Sequence, residues 1–318
     1  MRILANDGID DAGKTILENA GFEVDTIKID QENLINLINN YDAIIIRSAT
    51  KIKKDLLDKC TNLKAIGRAG VGMDNIDVEY ARAKGIKVLN TPAASSRSVA
   101  ELVFCHLLAG ARFVAETNRG LSNDANANFN ALKKTASSGI ELHGKTLGII
   151  GFGRIGQACA KIGIGMGMKI SYFDPYLPEV NISIELDQEF GIAPLILPLT
   201  SMDEIEDVLK IADFLTLHIP GGAKPVIGEN EIKLMKRNAG LINCSRGGIV
   251  DEKALYNALV NGKLAFAGLD VFETEPPVNL ELTKLKNISL SPHIGASTIE
   301  AQERVGIEMA TKMIEALK

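Results

Sequence analysis

Short apolar runs alternate with segments of helical period in two successive sets, and this alternation is the feature that most constrains the fold. The runs are rich in Ile, Val and Leu, as expected of buried strands. In the first set they are RILAN, FEVDTIKI, DAIIIRS, LKAIGRA and IKVLN. Helical segments lie between them, two of which end at Gly21 and Gly85. Such alternation favours a parallel sheet with helices on both faces, so we predict an α/β fold.

A second set of strand-like runs begins at KTLGIIG and continues to NISLSPHI. Between the two sets we predict one long apolar helix from about Ser98 to Arg119, followed by a polar loop with one short helix. The stretch 175–198 is predicted as a loop, and Ser297–Lys318 as a helix capped by Ser297 with Glu300. Two α/β units are expected, because 318 residues are about twice an average domain. Periodicity leaves open which unit contains the last strand and helix.

Composition excludes several classes of function. Lys plus Arg number 35 and Asp plus Glu 40, a formal charge of -5, so we expect neither a nucleic-acid nor a membrane partner. The four cysteines have no CxxC pair and the N-terminus has no signal-like apolar run, which indicates free thiols in a cytoplasmic protein. The four histidines lack ligand spacing, so no metal is expected.

A candidate cofactor site follows the first strand of the second set. Gly151, Gly153 and Gly156 form a GxGxxG string between a buried run and a helical segment. The first glycine allows a tight turn, the second a close approach of a pyrophosphate and the third close helix–strand packing. Asp174 ends the next strand, where a carboxylate accepts hydrogen bonds from ribose hydroxyls and repels the extra phosphate of NADP. NAD is therefore expected, and a glycine-rich turn without a ligand is the alternative.

Polar residues at the carboxyl ends of other strands are candidates for the chemistry. His218, Arg246, Asp270 and His293 close or follow strand-like runs, and Glu275 lies in the loop after Asp270. Ligands of open α/β sheets bind at this edge. A nicotinamide enzyme needs a group that holds an anionic substrate, which suits arginine, and a proton donor and acceptor, which suits histidine beside a carboxylate.

Arg246, His293 and Glu275 meet these needs, so we predict that they assemble as the chemical site. The alternative is that the loop arginine and glutamate are merely solvated. His106, within the long apolar helix, is interpreted as a packed core histidine.

Five ordered strings, GRAGVGMDNID, ELHGKTLGIIGFGRIG, INCSRGGIVDEKAL, GLDVFETEPP and SPHIGAST, carry a family resemblance over nearly the whole chain. The chain resembles the D-isomer-specific 2-hydroxyacid dehydrogenases. The resemblance implies two doubly wound parallel-sheet domains with the active site in the cleft between them. Residues 1–94 and 291–318 would form a flavodoxin-like substrate-binding domain, and 95–290 an inserted Rossmann domain that binds NAD.

The resemblance also implies roles for individual residues. Arg246 would bind the substrate carboxylate and carbonyl, and Glu275 would support His293, the acid/base. Asp270 would lie near the nicotinamide carboxamide, or else cap the turn at its strand end. The implied cofactor-binding positions are Gly151, Gly153, Arg154, Ile155, Gly156, Asp174, His218, Ile219, Pro220, Cys244, Ser245, Asp270, Gly295 and Ala296.

The expected substrate follows from two further loops. The backbone of Val71 and Gly72 matches the family's substrate-carboxylate loop, and Arg47 with Ser48 in the string IRSAT resembles the branch that acts on phosphoglycerate. This implies oxidation of D-3-phosphoglycerate to 3-phosphohydroxypyruvate with NAD, the entry step to serine. Alternatively, Arg47 pairs with a neighbouring carboxylate or lies in solvent.

Two other functions remain open from the sequence. One is a reductase of glyoxylate, hydroxypyruvate or another 2-oxo acid, and a more distant one is an NAD-sensing interaction protein of the corepressor kind. The family implies a homodimer. The chain has no Trp in the segment after the long helix, unlike relatives, and it ends at Lys318, so the serine-binding regulatory domain of longer relatives is expected to be absent.

Overall fold

The computed structural model describes residues 1–185, 191 and 193–318. The chain forms two compact units, Met1–Ser98 with Ala296–Lys318, and Val99–Gly295. The unit boundaries, after Ser98 and after Gly295, lie a few residues after the predicted boundaries at 94 and 290. The loop that carries His293 therefore belongs to the second unit rather than the first. Hydrogen bonds from this loop to Asp270, which follows another strand of the second unit, explain its place. The assignment of the units to substrate and cofactor stays a prediction.

The first unit is built on a five-stranded parallel sheet in the order β2-β1-β3-β4-β5, which is the flavodoxin-like order. Its elements are β1 (Arg2–Ala5), α1 (Asp11–Asn19), β2 (Glu23–Asp25), α2 (Gln31–Leu37, extended by a 3-10 turn, Ile38–Asn40), β3 (Ala43–Ile46), α3 (Lys54–Leu57), β4 (Ala65–Arg68), α4 (Val78–Ala83), β5 (Lys87–Asn90) and the last helix, α13 (Ile299–Leu317). Gly21 and Gly85 have positive φ after α1 and α4, as predicted for helix ends.

The central strand β3 explains why its run is apolar throughout. Ile44 and Ile46 pack into a core on one face of the sheet, while Ala43 and Ile45 pack on the other, against α13. Successive side chains of a strand point to opposite faces, so a strand covered by helices on both sides has no polar position.

The second unit contains a six-stranded parallel sheet in the order β13-β12-β11-β10-β6-β7. Its elements are α5 (Ser96–Ala111, which begins in the first unit), α6 (Val114–Asn123), α7 (Ala125–Ala136), β6 (Thr146–Ile150), α8 (Arg154–Gly165), β7 (Lys169–Phe173), β8 (Glu179–Ile184), β9 (Leu195–Thr200), α9 (Ile205–Ile211), β10 (Phe214–Leu217), α10 (Glu229–Leu234), β11 (Ala239–Asn243), α11 (Glu252–Val260), β12 (Leu264–Leu269), α12 (Leu280–Thr283) and β13 (Ile288–Leu290). The predicted α/β class with two parallel sheets is confirmed.

The predicted single helix 98–119 is wrong. The helix breaks between α5 and α6, where Phe113 has a φ of 57°, and the two axes differ by 68°. The following stretch, predicted as mostly loop, is largely the helix α7, capped by Asp124 through the backbone N–H of Ala127. In the described residues, no single helix has the length and apolar composition to cross a membrane, and only the bent pair α5–α6 meets that test.

Two smaller predictions also need correction. Part of the predicted loop 175–198 is an antiparallel hairpin, β8 with β9, and residues 186–190 and 192 of that prediction lie outside the described residues. The helix α13 is capped by Thr298, whose side chain accepts the N–H of Ala301, rather than by Ser297. Both residues are good caps, so the sequence alone does not choose between them.

Glycines allow α1 and α13 to cross closely. A Cβ on Gly13 would lie 2.5 Å from the carbonyl oxygen of Gly306, and one on Gly306 would lie 2.9 Å from the Cβ of Asp10. This contact joins the N-terminal and C-terminal segments of the first unit.

Gly13→Ala should therefore lower the free energy of unfolding by about 1–3 kcal/mol, because the added methyl group meets backbone that has to move. This loss is expected although alanine has a higher helix propensity than glycine. The control is Thr15→Ala on the exposed face of α1, which should change stability by less than about 0.5 kcal/mol. Urea unfolding measures both variants, and equal stabilities would contradict the close crossing.

Candidate active site

Each strand of the second sheet leads, at its carboxyl end, into a predicted site residue. Parallel strands have their carboxyl ends at one edge, so residues distant in sequence are brought to the same side of the unit. In the spatial order of the strands the residues are His293, Asp270, Arg246, His218, Gly151 and Asp174.

The three glycines of the GxGxxG string have different surroundings. Gly151 has a φ of 88°, and a Cβ there would lie 2.5 Å from the carbonyl oxygen of His218. A Cβ on Gly156 would lie 2.3 Å from the carbonyl oxygen of Gly151. A Cβ on Gly153 meets nothing within 4 Å. Packing within the unit thus requires the first and third glycines, whereas the second faces open space that a phosphate can occupy.

The residues around this loop fit a dinucleotide. Gly153 is the N-cap of α8 and supplies no side-chain cap, so the N–H groups of Arg154 and Ile155 lie at an uncapped helix N-terminus. Asp174 accepts the N–H of Phe152 at 2.7 Å through Oδ2 and that of Tyr176 at 2.9 Å through Oδ1. A carboxylate has about four acceptor positions, so two remain for ribose hydroxyls.

His218 faces the interior of the unit. Its Nε2 lies 3.1 Å from Thr216 Oγ1 and 3.3 Å from Cys159 Sγ, and its buried Nδ1 has no hydrogen-bond partner in the described part of the chain. Burial lowers the pKa of His218 to about 3 and raises that of the Cys159 thiol above its usual range. The ring is therefore neutral at physiological pH, and the His218 carbonyl contacts the glycine loop at Gly151.

His293 and Glu275, which the sequence predicted to assemble with Arg246 as the chemical site, lie in hydrogen-bond contact. His293 Nδ1 lies 2.8 Å from Glu275 Oε2, and the two side chains are 41% and 40% exposed. A carboxylate only accepts hydrogen bonds, so Nδ1 carries the proton of this bond. Nε2 is then left to exchange a proton with a ligand.

The loop after β13 is attached to Asp270. His293 has a φ of 56° and donates its backbone N–H to the Asp270 carbonyl at 2.8 Å. The N–H groups of Ile294 and Gly295 each lie 2.8 Å from a different carboxylate oxygen of Asp270. Asp270 therefore caps the turn that carries His293. Its contact with the nicotinamide carboxamide stays a prediction.

Arg246 is positioned by the end of β11. Asn243 donates through Nδ2 to the Arg246 carbonyl at 2.9 Å and accepts the N–H of Ser245 at 3.1 Å. The half-buried guanidinium donates to the Ser245 carbonyl at 2.6 Å, and Ser245 Oγ donates to the carbonyl of Ile219 at 3.2 Å. Sequence reasoning missed Asn243, although an asparagine at a strand end is a recognisable turn signal.

The remaining predicted cofactor residues continue the same edge. Pro220 follows Ile219 after β10, and Cys244 is buried directly after β11. Burial raises the pKa of the Cys244 thiol well above its usual range, with a further contribution from the charge of Asp270. Ala296 is the first residue of the second segment of the first unit, and its carbonyl accepts from Gln302 at 2.6 Å.

The predicted substrate residues lie at the carboxyl edge of the first sheet. Arg47 and Ser48 follow β3, and Val71 and Gly72 lie in the loop after β4. Asn75 ties these loops together, since its Nδ2 lies 2.7 Å from the Arg47 carbonyl and 2.6 Å from that of Thr50.

Asp7 holds the Arg47 loop without pairing with the guanidinium. Its Oδ2 accepts the backbone N–H of Arg47 at 2.7 Å, and its Oδ1 pairs with Lys28. Burial acts to raise the pKa of Asp7, but hydrogen bonds from Lys28, Thr50 and the backbone outweigh it and hold the pKa below its usual value. No carboxylate in the described residues forms an ion pair with Arg47, so that alternative is not seen.

Comparison with known proteins identifies the family. The model of the D-isomer specific 2-hydroxyacid dehydrogenase NAD binding domain matches residues 104–295. Over its full length the chain is 42% identical to the D-3-phosphoglycerate dehydrogenase of Methanocaldococcus jannaschii. The chain belongs to the D-isomer specific 2-hydroxyacid dehydrogenase family. The residues that match the NAD binding domain model all lie within the second unit.

Other members of the family differ in length and in name. The chain spans 58% of the Methanocaldococcus jannaschii protein but 98% of the hydroxypyruvate reductase of Thermotoga maritima, to which it is 41% identical. Among solved structures, this chain is similar to the TT0316 protein from Thermus thermophilus, with 31% identity and a TM-score of 0.82. The match covers 100% of this chain and 97% of that protein's chain.

The open space at Gly153 predicts the effect of Gly153→Ala. The methyl group would occupy the space predicted to hold a phosphate but would touch no protein atom. The dissociation constant for NADH should therefore rise about tenfold, while the melting temperature should change by less than about 2 °C. Gly165→Ala at the other end of α8 is the matched control, because its Cβ also meets nothing within 4 Å. Fluorescence titration with NADH measures both, and unchanged affinity in Gly153→Ala would rule out this loop as the phosphate site.

Proposed function

We propose that the protein oxidises D-3-phosphoglycerate to 3-phosphohydroxypyruvate with NAD. The observation that supports the dehydrogenase chemistry most strongly is the 2.8 Å contact of His293 with Glu275 at the same sheet edge as the glycine loop. The phosphorylated substrate is supported by Arg47, which is half-buried and has no ion-pair partner in the described residues. The similarity to the phosphoglycerate dehydrogenase of Methanocaldococcus jannaschii points the same way.

In the proposed reaction, Arg246 binds the substrate carboxylate and polarises the oxygen on C2 through its planar guanidinium. His293 Nε2 takes the hydroxyl proton, and the Glu275 carboxylate stabilises the positive charge that the ring acquires. NAD held at the glycine loop and Asp174 would supply the acceptor for the hydride that leaves C2. In reduction the same atoms act in reverse, and His293 gives the proton to the oxygen of the 2-oxo acid.

A second candidate is a reductase of unphosphorylated 2-oxo acids. Its support is the hydroxypyruvate reductase of Thermotoga maritima, which this chain matches along 98% of that protein. Both candidates use Arg246, Glu275 and His293 in the same way. They differ in whether the substrate needs a second anionic group for Arg47.

A homodimer in the cytoplasm remains a prediction from the family resemblance. The resemblance implies that the segment after the predicted long helix makes dimer contacts, and Phe129 on α7 is an exposed apolar side chain in that segment.

The proposal is tested by following NADH oxidation with 3-phosphohydroxypyruvate, hydroxypyruvate and glyoxylate, and by repeating each assay with NADPH. We expect the highest kcat/KM for the phosphorylated acid with NADH. Equal or higher kcat/KM for the unphosphorylated acids would favour the second candidate. Binding of NADH without turnover of any of the three acids would contradict both.

Arg47→Ala should raise KM for 3-phosphohydroxypyruvate about tenfold or more with a smaller change in kcat, because the lost contact is made equally in the ground state and the transition state. KM for hydroxypyruvate should hardly change, since it has no phosphate. The control is Lys51→Ala, which removes an exposed cation a few residues away. If Arg47→Ala leaves KM for the phosphorylated acid unchanged, Arg47 does not bind the phosphate.

A further inference from the structure

His106 lies on α5 and is buried, as expected of a core histidine, but both of its ring nitrogens are hydrogen-bonded. Nδ1 lies 2.8 Å from Ser289 Oγ and Nε2 lies 2.9 Å from Ser291 Oγ. Ser289 is in β13. Ser291 comes directly after that strand, two residues after Ser289, so the two side chains point to the same face. Ser291 Oγ in turn donates to Asp270 Oδ1 at 2.6 Å. A chain of side-chain hydrogen bonds thus leads from α5 to the residue that caps the His293 loop.

The direction of each bond follows from the available protons. Burial lowers the pKa of His106, against the opposing effect of the Asp270 charge, so the ring is neutral at neutral pH and has one donor and one acceptor nitrogen. Ser291 gives its only hydroxyl proton to Asp270 and must therefore accept from His106 Nε2–H. Nδ1 is then the acceptor for the Ser289 hydroxyl. Each donated proton in this series of hydrogen bonds points toward the Asp270 carboxylate.

The main chain fixes the position of His106 from the other side. A Cβ on Gly268 in β12 would lie 2.5 Å from the Cβ of His106, so the helix packs directly on the strand backbone at this point. A glycine in a strand interior often marks such a close approach. The imidazole is therefore placed beside the end of β12, where Asp270 begins the next loop.

We propose that His106 is a positioning residue for the proposed dehydrogenase reaction and acts through Ser291 and Asp270 on the loop that presents His293. In the described residues the Asp270 carboxylate accepts three hydrogen bonds, one from Ser291 and two from the backbone N–H groups of Ile294 and Gly295. The His106–Ser291 bond orients the hydroxyl that holds Oδ1, the same oxygen that caps Ile294. This inference rests on the proposed role of His293.

Replacement of His106 by leucine keeps the volume approximately but removes the acceptor of the Ser289 hydroxyl and the donor to the Ser291 oxygen. The Ser291 hydroxyl is then free to rotate away from Asp270, and the cap on the His293 loop loosens. Because a displacement of about 1 Å in a reacting group costs up to about a hundredfold in rate, kcat should fall at least about tenfold. KM and the dissociation constant for NADH should change less than about twofold, since Arg246 and the glycine loop are untouched.

Three further variants separate positioning from general destabilisation. Ser291→Ala breaks the chain next to Asp270 and should match His106→Leu in kcat. Ser289→Ala removes only the distant bond and should keep kcat within about twofold of the wild type. His106→Gln keeps an amide donor for Ser291 and should recover most of the lost kcat, which a loss of core packing would not predict.

Amide hydrogen exchange at Ile294 and Gly295 provides a readout that does not depend on activity. Exchange should become faster in His106→Leu and Ser291→Ala, and stay as in the wild type in Ser289→Ala and His106→Gln. Wild-type kcat in both His106→Leu and Ser291→Ala, or unchanged exchange at the two amides in Ser291→Ala, would overturn the inference. If the wild-type protein reduces none of the 2-oxo acids, the proposed function fails, and the exchange rates alone then decide whether the chain of hydrogen bonds holds this loop.

Discussion

The carboxylate of Asp270 is the constraint on which the chemical site depends. It is buried at the end of β12 and holds the following loop through the N–H groups of Ile294 and Gly295. His293, just before them, has a left-handed backbone that is uncommon for a residue with a side chain. The bond from the His293 N–H to the Asp270 carbonyl supports the same conformation, in which Nδ1 lies against Glu275. Asp270 thus holds the backbone of the proposed acid/base through both its carboxylate and its carbonyl.

The parallel sheet provides the second requirement, the convergence of residues that are distant in sequence. The glycine loop after β6 and the arginine after β11 reach one edge only because both strands run in the same direction. Gly151 and Gly156 allow the backbone at this edge to pack without side chains, and Gly153 leaves space beside the N-terminus of α8. The proposed cofactor binding and proton transfer therefore use separate loops at one edge of the sheet.

The sequence predicted the strands of the two parallel sheets, the glycine loop and the His293–Glu275 pair, because these depend on local apolar runs and on residues at strand ends. It did not predict the break at Phe113, since the residue in the left-handed conformation is a phenylalanine rather than a glycine or asparagine. The polar composition of α7 concealed a helix whose start depends on the Asp124 cap. The hydrogen bonds of His106 could not be predicted from the sequence either, because its partners are more than 180 residues away in the chain and only the fold brings them together.

The central claim is that Glu275 acts on the reaction only through His293, as one unit held by the Asp270 loop. A double-mutant cycle of Glu275→Gln and His293→Asn, measured as kcat for reduction of the preferred 2-oxo acid, tests it most directly. Each single variant should lower kcat, His293→Asn by about a hundredfold or more, and the double variant should be no slower than His293→Asn alone. If the two effects multiply instead, Glu275 has a function independent of His293 and the central claim is wrong.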